Sequence, residues 1–226
     1  MTYPMKVFDL KNIDLALAVA KEVKFSTLIF SNNNQTEVVH LPVIVNKQNN
    51  VITLEGHLWK NNPLLEILTD TTLSIPCKVI FNGADGYISA NIYDEKPKTG
   101  RVAPTWNYVA VHFDGQIQTV DHHGLQNILS RQTAEFETMV GSLWRVEHVP
   151  PEYTEQLKKR IVGFKFTVNN FKIIAKMGQN ELADVRNMIV WGARKDERKK
   201  DMVSWYDLIY NFNNNPQLAP ETKIVL

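Results

Sequence analysis

Between Ser26 and Ala175, β-branched and aromatic runs alternate at short intervals with clusters of Asn, Gly and Pro. A chain punctuated this way folds as short strands joined by tight turns rather than as a helical bundle. Ser26–Ser31 reads as a strand and Asn32-Asn33-Asn34 as the turn that ends it. Thr36–Val45 reads as a second strand. Its Pro42 lacks an N–H and so marks an edge, a bulge or a ligand-facing break in the ladder. Asn46–Asn50 turns the chain into Val51–His57, and Thr72–Phe81, Tyr87–Tyr93 and Asn107–Val120 continue the pattern. Asp114-Gly115 divides the last of these and suits a hairpin turn. Ile161–Val168 and Phe171–Ala175 form a further hairpin about Asn169-Asn170. Seven or eight antiparallel strands with few helices between them predict a mainly β protein, a barrel with peripheral helices.

Helical spacing appears where the strand pattern stops. Leu10, Ile13, Leu17 and Ala20 share one face of a helix over Asn12–Lys24, with Asn12 as its N-cap. Asn62 caps a short helix over Pro63–Leu68, with Pro63 at its first position. Leu125–Met139, Tyr153–Lys159, Glu181–Trp191 and Met202–Phe212 are the remaining helices. No internal repeat and no linker divides the chain. It reads as one domain over residues 1–190 with a helical extension and polar tail over 191–226, the tail from Asn213 onward being an extended arm.

Composition narrows the setting. A single cysteine, Cys77, excludes an intrachain disulfide and a multi-cysteine zinc site, and fits a cytoplasmic protein. No signal peptide is visible, and no run of about 18 apolar residues exists to span a membrane. The net charge of +1 is unevenly spread, since residues 151–201 carry 12 Lys/Arg against 7 Asp/Glu. That excess reads as a solvated basic face, because the run Arg194–Lys200 mixes both signs.

Several catalytic signatures are missing: Gly-x-Gly-x-x-Gly after a strand, the P-loop, Gly-x-Ser-x-Gly and His-Glu-x-x-His. Cys77 follows Pro76 in an apolar strand and reads as a core thiol. The adjacent His122 and His123 point different ways and make a poor metal site. Three segments stand out, Val39-His40-Leu41-Pro42, Glu55–Pro63 and Val102–Gly115. Around Glu55–Pro63 a strand ends in His57 and Lys60 directly before a helix N-terminus, where backbone N–H groups and cations suit a phosphate monoester. Trp106, Asn107 and Tyr108 offer two flat surfaces and a bidentate amide, a wall for a planar heterocycle.

The segment Pro104-Thr105-Trp106-Asn107-Tyr108, followed by Val111-His112 and Gly115, closely resembles the signature of the PaiB family, described as FMN-binding negative transcriptional regulators. Tyr3-Pro4, Phe8, His40-Leu41-Pro42, Gly56-His57-Leu58, Asn62-Pro63, Gly86-Tyr87-Ile88-Ser89, Tyr93, Ile161–Phe164 and Lys176-Met177-Gly178-Gln179-Asn180 match in order. The resemblance spans roughly residues 1–190. It implies the FMN-binding split barrel, a cytoplasmic homodimer with flavin at the subunit interface. The cofactor residues it implies are His40, Leu41, His57, Lys60, Trp106, Asn107, Tyr108, His112, Lys176, Gln179 and Asn180. Any contact with DNA rests on the resemblance alone, because no helix-turn-helix is visible. Ala90-Asn91-Ile92 and Ala175 depart from the family's usual Pro-Ser-Trp and Trp, and Gly178 and Glu181 from its Ser and Arg. Two further readings share the barrel. One is an FMN-dependent oxidoreductase, with Lys176 and His112 as cationic or proton-donating groups. The other is a haem-handling protein, with His40, His57 or His112 as axial ligand.

Overall fold

The computed structural model describes residues 6–32, 35–67, 75–92, 103–181, 183–196 and 199–214. Tyr3-Pro4, the Asn33-Asn34 part of the first turn, Thr72, Tyr93 and the tail beyond 214 lie outside them.

Within the described residues eight strands form one sheet: β1 (Asp9–Leu10), β2 (Phe25–Asn32), β3 (Gln35–Pro42), β4 (Ile44–Gln48), β5 (Val51–Trp59), β6 (Ile75–Ile88), β7 (Thr105–Thr119) and β8 (Ile161–Lys176). Their order is β3-β2-β6-β7-β8-β5-β4, with β1 on β8. The β1–β8, β2–β3, β2–β6, β4–β5 and β5–β8 pairs are antiparallel. Among the described residues six α-helices accompany them: α1 (Ile13–Val23), α2 (Pro63–Ile67), α3 (His122–Met139), α4 (Pro151–Lys158), α5 (Ala183–Lys195) and α6 (Lys200–Asn214). The mainly β, helix-flanked architecture is the one the alternation and turn clusters predict.

Local signals hold best at helix ends. Asn12 Oδ1 accepts from the Leu15 N–H at 3.0 Å, and Asp121 Oδ1 from the Gly124 N–H at 2.7 Å. Each satisfies one orphan donor of a first turn and fixes where the helix begins. α1 ends at Lys24, whose φ of 55° is left-handed and turns the chain directly into β2.

Strand continuity is where the sequence reading is corrected. Thr36–Val45 is two strands, because Pro42 ends β3 and the Val43 N–H leaves the ladder for the Lys24 carbonyl at 3.0 Å. In contrast, three expected breaks are absent. β6 runs unbroken through Asn82–Gly86, β7 through Asp114-Gly115, and β8 through Asn169-Asn170. Gly115 is not a turn residue. A Cβ there would run into the Thr167 carbonyl and the Phe166 ring, so glycine is what lets two backbones pass closely.

The chain divides into two compact units. One comprises Ala20–Phe81 and His112–Phe171, the other Met1–Val19, Asn82–Val111 and Lys172–Leu226. In the first, Leu28, Phe30, Leu54, Val79, Phe81, Phe113, Phe164 and Phe166 are buried. α3 adds Leu125, Ile128 and Gln132, one stripe at helical spacing. In the second, α6 buries Met202, Trp205, Tyr206, Leu208 and Ile209. The Trp205 ring lies 2.9 Å from where a Cβ of Gly83 would sit, and Met202 fills the equivalent space at Gly86. The glycines that looked like a turn are notches that receive a helix. Burying side chains of this size contributes about 1.5–3 kcal/mol each, so α6 is part of this unit's core. The boundary drawn at residue 190 falls inside α5.

Candidate functional site

On β5, Thr53, Glu55 and His57 point to one side by strand alternation, and α3 supplies their partners. His57 Nδ1 lies 3.0 Å from Gln132 Oε1, while Gln132 Nε2 donates to the Pro42 carbonyl at 3.1 Å. A carbonyl can only accept, so the amide is oriented with its oxygen toward the ring, and Nδ1 of His57 carries the proton. Nε2 makes no hydrogen bond among the described residues; it accepts in the neutral ring and donates only in the imidazolium. Glu55 is buried (2% exposed), accepts from Thr53 Oγ1 at 3.1 Å, and is paired with Arg131 of α3. The Arg131 side chain is 44% exposed, so this ion pair has one dry partner and one wet one.

Lys60 lies just past the strand. Its N–H donates to the Arg160 carbonyl at 2.8 Å and its side chain is exposed. The helix start beside it does not offer the donors the sequence suggested. Pro63 has none, Asn62 Oδ1 takes the Leu64 N–H at 3.0 Å, and the Asn62 carbonyl takes that of Leu65 at 2.9 Å. Anion-binding capacity here rests on side chains.

In β7 the signature residues divide by strand alternation. Asn107 is buried (1% exposed) and its Nδ2 donates to the Tyr206 hydroxyl of α6 at 2.9 Å. Burial pushes that hydroxyl well above the ordinary phenol range, so it stays protonated. Trp106 and Tyr108 take the other side of the strand. Trp106 is 53% exposed, yet its Nε1 donates to Asp85 Oδ1 at 2.8 Å and its ring tilts against Tyr87 with centroids 6.1 Å apart. The three residues do not make one wall: two are presented and one is structural.

The other candidates are held as follows. His40 is exposed, with Nδ1 3.1 Å from Thr27 Oγ1 and its ring stacked on Phe25. Leu41 is buried, and its carbonyl accepts from Ser26. His112 is half-buried in β7. Lys176 donates to Thr105 Oγ1. Gln179 accepts from the Met177 N–H at 2.7 Å and donates to the Ala175 carbonyl, closing the turn after β8 with its own amide. Asn180 donates to Glu181 at 2.8 Å. His40, Leu41, His57, Lys60 and His112 belong to one unit, and Trp106, Asn107, Tyr108, Lys176, Gln179 and Asn180 to the other.

A groove of about 720 Å³ opens among Ile29, Ser31, Cys77, Lys78, Asp114 and Gln116, and none of these candidates lines it. Burial pushes the Cys77 thiol up to about 12, as befits a core residue. Sequence reasoning missed Glu55, Arg131, Gln132, Asp85 and Tyr206. One signal was available: a carboxylate on the same strand face as His57 needs a cation from outside the strand.

Residues 2–170 match the family described as "Putative FMN-binding domain". An uncharacterised protein of Aspergillus fumigatus is 34% identical over 173 residues, 63% of this chain and 66% of that protein, just under two thirds of its length. The Bacillus subtilis protease synthase and sporulation protein PAI 2 is 28% identical over 183 residues, covering 79% of this chain and 82% of its own. Among solved structures, the FAD and heme binding protein of Mycobacterium smegmatis aligns with a TM-score of 0.53 at 12% identity, over 80% of this chain and 78% of that one. At that identity the likeness speaks for the split-barrel fold. With three quarters of its length inside the family's domain, the chain belongs to the PaiB-type family of FMN-binding-domain proteins.

Proposed function

We propose that this protein binds FMN at the interface of a homodimer and acts as a cytoplasmic regulator of the PaiB type. Lys60 meets the phosphate together with His57 as an imidazolium, whose Nε2–H is the donor left once Nδ1–H bonds Gln132, and Trp106 and Tyr108 border the isoalloxazine ring. The observation that carries this reading is Trp106. A large aromatic side chain half in water is ordinarily free to reorient. This one is fixed from two sides, by Asp85 and by Tyr87, as a surface must be if a planar ligand is to stack on it. Lys176, Gln179 and Asn180 stand at the end of β8 in the same unit as Trp106 and support the ring side. His40, Leu41 and His112 belong with the phosphate-side unit.

The regulatory role follows the family. The basic charge of the C-terminal helices supports only shallow contact with DNA. Lys195 Nζ sits 3.3 Å over the Trp191 ring and Lys199 pairs with Asp196 at 3.2 Å, which leaves fewer cations for phosphates. No helix among the described residues is long and apolar enough to cross a membrane.

The test is an absorbance spectrum and a flavin titration of the purified full chain, with light scattering. FMN binding, tighter than that of riboflavin, at a mass twice 25.9 kDa is the expected result. A monomer that binds neither flavin overturns the reading.

A further inference from the structure

The β5–α3 seam holds one cation that the proposed phosphate side has not used. Arg131 is anchored at two points, by an Nη2 bond to the buried Glu55 and by Nε donating to the Asn127 carbonyl at 3.3 Å. Its Nη1 has no partner among the described residues, and its side chain is 44% exposed. Its neighbour on α3 is Gln132, the residue that orients His57. Glu55 and His57, the strand partners of this pair, are two residues apart on the same side of β5, which brings the guanidinium and the imidazole to adjoining places along one seam. The start of α2 cannot take an anion, since its first amide donors are consumed by Asn62.

We propose that Arg131, held in place by Glu55, is an anion-binding guanidinium and takes the phosphate monoester of the flavin together with His57 and Lys60. This rests on the FMN reading above. Glu55 is then a positioning residue. It is buried, it also accepts from Thr53 and Asn46, and it takes Nη2 of a guanidinium whose side chain is 44% exposed and whose Nη1 stays unpaired among the described residues. Arg suits this role better than Lys, because its planar fork can bond a carboxylate and a phosphate at once.

The test compares FMN with riboflavin, which lacks the phosphate. Glu55→Gln with Arg131→Gln removes both charges and leaves an amide pair in their place, so that no lone charge is buried. The expected result is that this variant loses FMN affinity by about 10- to 100-fold while riboflavin affinity is unchanged. Glu55→Gln alone keeps the cation but loosens its hold, and falls between wild type and the double variant. An unchanged FMN-over-riboflavin preference in the double variant overturns the proposal. A second measurement needs no variant: inorganic phosphate is titrated into the wild-type chain while the Arg131 Nε–H resonance is followed by NMR. A saturable shift supports the anion site even if the chain binds no flavin, which separates its fate from that of the FMN reading. No shift refutes it.

Discussion

Two strands of the family signature meet a helix through a polar pair, and the pairs do different work. On β5, His57 is half-buried and bonds Gln132 of α3, which puts a proton on Nδ1 and leaves Nε2 without a bond among the described residues. On β7, Asn107 is fully covered and spends its amide on Tyr206 of α6. In the proposed reading the first contact orients a group for the ligand. The second closes the core. The difference comes from exposure: a polar group with one edge in water retains capacity for a ligand, while one without is committed to its partner. Membership of a motif does not tell the two apart.

That contrast can be broken experimentally. If it holds, changes at the β5 side alter selectivity between flavins and leave stability alone, and changes at Asn107 do the reverse. The largest effect is expected at Lys60. A charge-assisted phosphate contact contributes about 1.5–3 kcal/mol, so Lys60→Ala weakens FMN by about 10- to 150-fold in a fluorescence titration, with riboflavin affinity and denaturation midpoint unmoved. Equal loss for both flavins would remove Lys60 from the phosphate. Next is Asn107→Ala, which leaves the Tyr206 hydroxyl buried without its donor. It should cost about 1–3 kcal/mol by urea denaturation without altering the ratio of FMN to riboflavin affinity. Tyr206→Phe should cost a similar amount, and the double variant less than the sum of the two. An altered flavin ratio in Asn107→Ala would mean that this amide reaches the ligand after all.

Trp106→Ala is expected to be milder, weakening both flavins alike by about 3- to 10-fold, since stacking is indifferent to the phosphate. A loss confined to FMN would move Trp106 away from the ring. The smallest effect is at Cys77. With its pKa pushed up to about 12, the thiol stays protonated at neutral and mildly alkaline pH, so a thiolate-selective reagent should label the native chain far more slowly than the unfolded one. The sign of the linkage follows. Because the folded thiol holds its proton more tightly, its contribution to stability is present below the ordinary thiol range and is lost as pH rises toward about 12. Rapid labelling of the native chain would show that Cys77 is reachable from the groove it borders.

How much was legible beforehand depended on range. The caps at Asn12 and Asn62 and the strand-rich class were readable, because each is decided within one turn of helix or a few residues of strand. The face of α1 was not: Leu10 lies in β1, and Leu15, Ala16 and Val19 are buried along with Leu17 and Ala20. The signature around Trp106 also named the family from sequence alone. Three strands could not be traced through their interiors. Asp114-Gly115, Asn82-Gly83 and Asn169-Asn170 have the chemistry of turns, and only neighbours distant in sequence hold such residues extended. Thr167 and Phe166 crowd Gly115, and Trp205 enters the notch at Gly83. Which of the candidate residues are buried was decided in the same way. Local sequence set Trp106, Asn107 and Tyr108 side by side, and strand alternation with the packing of α6 decided which of them faces the core. Nothing near Glu55 in sequence announced Arg131, because an ion pair across 76 residues is made by the tertiary fold that brings α3 over β5. Local chemistry chose the elements, and long-range packing chose which of their faces are left for a ligand.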